Sequence, residues 1–126
     1  MAKKKQRDLQ TREGLEAEYR DQAEQFGLDV QVFSDGPLDA KVVFVGEGAG
    51  EKEVRQRKPF VGESGKMLRV AAAKYGLTSE NAYFTNVMKL QILQDGDEKR
   101  SVNNEEFDRW VTLLNWELGN LPNVDT

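Results

Sequence analysis

The chain has no cysteine and no histidine among its 126 residues, and only three prolines. Without cysteine there are no disulfides and no thiolate-ligated zinc or iron–sulfur clusters; without histidine the commonest acid/base group and metal ligand at neutral pH is gone. Catalysis must then rest on carboxylates, amides, backbone groups or a partner. Long hydrophobic runs are also missing. The apolar stretches are strand-sized, and Met1-Ala2-Lys3-Lys4-Lys5 lacks the apolar segment of a signal peptide. A cytoplasmic protein without membrane contact is expected. A formal net charge of −4 argues against a simple electrostatic nucleic-acid binder, although a local basic patch could touch phosphates.

What is present is most informative at Val42-Val43-Phe44-Val45-Gly46-Glu47-Gly48-Ala49-Gly50, an apolar strand running into a glycine-rich turn with one carboxylate at its crest. Glycine permits positive φ and close approach to a ligand. Glu47 would stand where the carboxyl end of the strand opens into the crevice used by α/β sheets. The turn does not follow the G-x-G-x-x-G spacing, and a carboxylate within it would repel a pyrophosphate. Gly62-Glu63-Ser64-Gly65-Lys66-Met67 resembles the end of a phosphate-binding loop, but Phe60 occupies the first glycine position and Met67 that of the magnesium-binding hydroxyl, so a P-loop is rejected. Glu47, Glu51 and Glu53 could suit magnesium; charged loops are more often only solvated, and no metal site is assigned.

Along the chain, residues 1–7 read as a basic flexible tail and 8–28 as an N-terminal amphipathic helix with Leu15, Tyr19, Ala23 and Phe26 on one face, stopped by Gly27. Residues 29–121 read as an incomplete α/β domain and 122–126 as a C-terminal tail. Within the domain, Val30, Val32 and Phe33 alternate as in a short strand, and Ser34-Asp35-Gly36-Pro37 forms a turn. Val42–Val45, apolar on both faces, suits a central strand covered on both sides. A charged loop over 51–58 is followed by a helix from about Ser64 to Tyr75, with Met67, Leu68, Ala71, Ala72 and Tyr75 on one face and Gly76 closing it. Ala82–Val87 reads as a second strand, 94–104 as a polar connection, and the last helix carries Phe107, Trp110, Val111, Leu114 and Leu118. The order stops where a third parallel strand is expected, so a bare strand edge should invite pairing with another segment. Taken alone, Phe60 reads as core packing and Asn86 as a turn or cap residue.

Taken together, Val32–Gly36, Asp39-Ala40, Phe44–Gly50, Lys58–Gly65 and Thr85-Asn86-Val87-Met88-Lys89 resemble, in order and spacing, the uracil-DNA glycosylase superfamily, with the family-4 type the nearest pattern. The resemblance runs from about Val32 to Leu118 and covers the N-terminal half of that fold. It implies a partial three-layer α/β architecture, a short parallel sheet flanked by helices. It implies that Gly46, Gly48, Ala49 and Gly50 form the backbone loop facing water and sugar, that Phe60 stacks on an extruded uracil, and that Asn86 reads the uracil edge. Glu47 would stabilise positive character on the sugar or orient water. The departures are equally specific. Leu90 stands where a cluster cysteine would follow Thr-Asn-Val-x-Lys, so no cofactor is expected. The family's later His-Pro-Ser loop has no counterpart, and Gln91–Arg100 departs from an Arg-Pro-Pro-rich segment. The expectation is a DNA-contacting or docking component of a replication or repair complex, a phage DNA polymerase being one candidate partner, with host cytoplasm as the location if the chain is phage-encoded. The alternative is half of a split glycosylase, completed in trans by a second chain that supplies sheet strands and hydrolysing the uracil–deoxyribose bond.

Overall fold

A computed structural model of the chain describes residues 6–93 and 100–124. The elements follow as α1 (Arg12–Gln25), β1 (Val42–Gly46), α2 (Glu51–Gln56), α3 (Glu63–Ala73), β2 (Ala82–Asn86) and α4 (Asn104–Gly119). Strands β1 and β2 are parallel, in the register Val42 to Ala82 through Gly46 to Asn86. This is a partial α/β fold with a two-stranded sheet among the described residues.

Helix α1 starts four residues later than its periodicity predicts. Asp8–Thr11 is a turn, and the Thr11 hydroxyl accepts from the Gly14 N–H as the N-cap. Leu15, Tyr19 and Ala23 are buried as predicted, while Phe26 is exposed. Gly27 (φ +73°) ends the helix in the left-handed region, where a side chain would be strained. Arg7, grouped with the tail on sequence, is ion-paired to Glu18 and Asp21 on α1. Residues 1–5 lie outside the described residues.

Four sequence expectations are corrected. Residues 30–33 form no strand and bend at Gln31; the Gln31 and Val32 N–H groups both donate to the Lys89 carbonyl. The charged stretch after Gly50 is the short helix α2, because Glu53 accepts from the Gly50 N–H in a helix-capping arrangement. Strand β1 is not the covered central strand. Val42 and Val45 are exposed, whereas every residue of β2 is buried between β1 on one side and the Asp35 bridge to Phe84 on the other. Val42 and Val45 point to opposite faces of the strand, so each face of β1 is only partly covered among the described residues. Finally, the predicted inner face of α3 is only partly covered: Ala72 is buried and Leu68 half-buried, whereas Met67, Ala71 and Tyr75 are exposed, as is Val70 beside them. Gly76 (φ +79°) does follow the helix as expected.

The core lies between α1, β2 and α4, with Leu15, Tyr19, Phe33, Tyr83, Trp110 and Leu113 in one cluster. On α4 the buried face is Trp110, Leu113 and Glu117; Phe107, placed inside by its spacing, is exposed. The helix phase is fixed by a polar group absent from the hydrophobic pattern, since Glu117 lies fully buried against β2. At the other end of α4, Arg100 makes a bidentate pair with Glu106 (2.9 and 3.1 Å), and Trp110 Nε1 donates to the same carboxylate at 3.2 Å. These bonds, Arg100 first, hold the Glu106 carboxyl below the usual carboxylate range. A depressed folded-state value stabilises the fold above the ordinary 4.5 and loses that contribution as pH falls below it. Relative to Glu106→Gln, the wild type should lose about 1 kcal/mol or less of extra stability on acidification, read from urea midpoints between neutral and acid pH.

Candidate base-binding site

The cavity at the carboxyl ends of both strands has a volume of about 250 Å³ and is lined by Gly46, Glu47, Gly48, Glu53, Phe60, Ser64, Gly65, Asn86, Ile92 and Leu93. Parallel pairing of Gly46 with Asn86 brings the glycine-rich turn and the end of β2 side by side. Glu47, Phe60 and Asn86, far apart in sequence, thus line one space.

Gly46 makes this possible through close approach rather than unusual backbone. A Cβ on Gly46 would lie 2.8 Å from the Phe60 ring carbon Cζ and closer still to Asn86 Oδ1, so amide and ring meet over a residue without a side chain. A Cβ on Gly48 would strike the Ile92 side chain, and one on Gly50 would lie 2.9 Å from Glu53 Oε1. None of the three has positive φ, contrary to the expectation from glycine's freedom; the positive-φ glycines among the described residues are Gly27, Gly36 and Gly76. Ala49 is buried and locks the turn to the segment after β2: its N–H donates to Leu90, and its carbonyl accepts from Ile92 and Leu93.

Phe60 is half-buried and has φ +59°, a conformation that costs a non-glycine residue about 1–2 kcal/mol and must be imposed by its surroundings. Three groups impose it. Arg69 donates from Nε to the Phe60 carbonyl (2.8 Å) and from Nη2 to the Pro59 carbonyl (2.7 Å) and to Asp35 (3.1 Å). Glu53, almost fully buried, accepts the Val61 N–H (2.8 Å) and the Gly62 N–H on Oε2 and the Gly50 N–H (2.9 Å) on Oε1. Gly65 completes the seat, because a Cβ there would overlap the Phe60 Cα and carbonyl carbon. The Phe60 ring meets Phe84 edge-on at 5.8 Å between centroids, and Phe84 stacks on Phe44 at 5.1 Å with Arg69 over its face at 4.2 Å. The Phe60 ring thus lines the cavity, backed by Phe84.

Asn86 is buried. The Val87 and Met88 N–H groups donate to the Gly46 and Glu47 carbonyls (2.8 and 2.9 Å), so the chain after Asn86 is stitched to the glycine-rich turn. Glu47 is exposed at the crest. Glu51 and Glu53, weighed with Glu47 as magnesium ligands and not assigned as such, are engaged elsewhere: Glu51 pairs with Arg55 across one helical turn, and Glu53 is committed to backbone N–H groups. Among the described residues no group of three potential metal ligands occurs. Sequence reasoning missed Arg69 and the role of Glu53 as an acceptor for backbone N–H groups. The spacing of Glu53 three residues beyond Gly50 was a readable capping signal; nothing local marked Arg69.

This cavity, an aromatic ring and a carboxamide meeting at the carboxyl ends of parallel strands beside a carboxylate-bearing turn, is of the kind that holds a planar, hydrogen-bonding ring. The family model of the uracil DNA glycosylase superfamily matches residues 33–124, and the chain belongs to that superfamily. It is 43% identical over 58 residues to a type-4 uracil-DNA glycosylase of Thermotoga maritima, a match covering 46% of this chain and 30% of that protein. It is 48% identical over 54 residues to one of Archaeoglobus fulgidus (43% and 27%), and 30% identical over 85 residues to one of Pyrobaculum aerophilum (68% and 41%). The matches thus span well under half the length of these relatives. The chain contains no cysteine, so it has no thiolate ligands for an iron–sulfur cluster. At the expected cysteine position, Leu90 packs partly buried against the core. No described helix is long and apolar enough to cross a membrane.

Proposed function

We propose that the cavity binds an extruded uracil and that the chain is the base-recognising part of a glycosylase-type site in a DNA repair or replication assembly. The observation that carries this reading is the meeting of Asn86 and Phe60 over Gly46. A flipped base needs a face to stack on and an edge to be read. Uracil offers an N3–H donor beside an O4 acceptor, which one carboxamide matches with Oδ1 and Nδ2 together; cytosine offers the opposite pattern, which the carboxamide meets only by turning over from the orientation that places Oδ1 at Gly46. Glu47 at the crest is suited to facing the sugar, where cleavage develops positive charge.

Departure of uracil as an anion calls for a cation or strong donor at the base, and no Lys or Arg is among the residues lining the cavity. The reading therefore assigns that donor, a histidine by the family resemblance, to another segment or polypeptide. The open edge of β1 would receive a parallel strand from the same source, supported by exposed Val42 and Val45. Fluorescence anisotropy with single-stranded oligonucleotides tests the reading. The chain should bind an oligonucleotide carrying one uracil about ten-fold more tightly than one carrying cytosine there, since a mismatched edge leaves buried polar groups unpaired, and it should release no uracil. Equal binding would refute base recognition; uracil release that disappears in Glu47→Ala would refute the assignment of the missing donor to another segment.

A further inference from the structure

We propose that the buried Lys89–Glu117 pair is a positioning device for Asn86, holding the end of β2 so that the carboxamide faces the cavity; the inference rests on the reading of Asn86 given above. Lys89 and Glu117 are fully buried, and Nζ lies 2.8 Å from Glu117 Oε1. The ammonium also donates to Thr85 Oγ1 (2.9 Å) and, reaching back three residues, to the Asn86 carbonyl. That carbonyl sits at the end of the ladder, so the lysine closes the turn 86–89 with a charged donor where a strand would otherwise fray. Glu117 fixes the lysine from α4 and accepts from Tyr83 Oη (2.6 Å) and Thr85 Oγ1 (2.9 Å). The Tyr19 and Phe33 rings lie 5.1 and 5.9 Å from Nζ, and the Lys89 carbonyl accepts from Gln31 and Val32. Every strong bond of the ammonium is therefore spent on β2, its final turn and one α4 carboxylate.

A buried ion pair is seldom retained for stability alone, because apolar residues of similar volume serve as well. Here its attachment to the residue proposed to read the base gives it a local task. The alternative, a general stabiliser, makes a different forecast for hydrogen exchange. In Lys89→Met/Glu117→Gln, which removes both charges and keeps an acceptor for Tyr83 and Thr85, the Val87 and Met88 amides should exchange about ten-fold faster than in wild type, because a charged hydrogen bond has been lost beside them. The Asn86 side-chain amide resonances should shift with them. The Leu28 and Leu77 amides, bonded to the Ala23 and Ala72 carbonyls, should keep their protection. Unchanged Val87 and Met88, or an equal rise at all four amides, would overturn the proposal. Should the first variant fail to fold, Lys89→Gln/Glu117→Gln gives the same comparison with a neutral pair that keeps the acceptor for Tyr83 and Thr85. Adding free uracil to the wild type is a separate arm. If uracil leaves the Asn86 amide unmoved, the base-reading assignment fails, while the exchange comparison still decides whether the pair positions Asn86.

Discussion

Glu53→Ala is expected to lower the unfolding free energy by about 3 kcal/mol and to release the Phe60 loop from the glycine-rich turn. The carboxylate accepts from Gly50, Val61 and Gly62, and bonds to a charged acceptor contribute about 1.5–3 kcal/mol each without being additive. Alanine leaves these donors without their acceptor in a buried site and opens space beside Gly50. The positive φ of Phe60 then loses one of the clamps that imposes it, leaving Arg69 and Gly65. Glu53→Gln, which keeps one acceptor oxygen and turns an amide N–H₂ toward backbone donors, should fall between. Urea midpoints at constant m-value measure the loss. A change under about 0.5 kcal/mol, the range of ordinary surface substitutions, would show that Glu53 is not the link between the two loops.

Lys89→Met alone should be as damaging or more, about 3–5 kcal/mol, because it strands the Glu117 carboxylate in a fully buried site. Burial already pushes the Lys89 ammonium below its ordinary value, opposed by Glu117, so the charge is held against a desolvation cost that the carboxylate offsets. The double variant Lys89→Met/Glu117→Gln should recover most of the loss, since neither residue then carries an unpaired charge. The cycle of single and double variants in urea therefore separates two accounts. A large single loss with recovery in the double identifies a stranded charge. Equal losses in the single and double variants would instead mean that the packing of the lysine stem, not its charge, supports the end of β2.

Residues that pack by periodicity were the legible ones. Leu15, Tyr19 and Ala23 on α1, the stops at Gly27 and Gly76, and both strands could be read because each signal lies within a few residues. The motif blocks around Glu47, Phe60 and Asn86 could be read as a family pattern, and parallel register brings them together. The illegible residues were those whose partners are backbone groups or lie far along the chain. Arg69 reads as a surface cation between apolar neighbours but seats Phe60 through two carbonyls. Glu117 interrupts an apolar face at helical spacing from Trp110 and Leu113, and that interruption was the clue to a buried pair. The faces of α3 and β1 were misjudged for a different reason: apolar patterning tells that a surface can be covered, not that this chain covers it. Met67, Val70, Tyr75 and Val45 remain exposed among the described residues.

The central claim is that Asn86 reads a base stacked on Phe60. Titration of the asparagine-labelled chain with free nucleobases, followed through the Asn86 side-chain amide by two-dimensional NMR, tests it most directly. Uracil should shift both amide protons in a saturable manner, cytosine should shift them far less, and Gly46→Ala, whose methyl group would occupy the meeting point of amide and ring, should abolish the response. Equal responses to uracil and cytosine, or a uracil response undiminished in Gly46→Ala, would contradict the account.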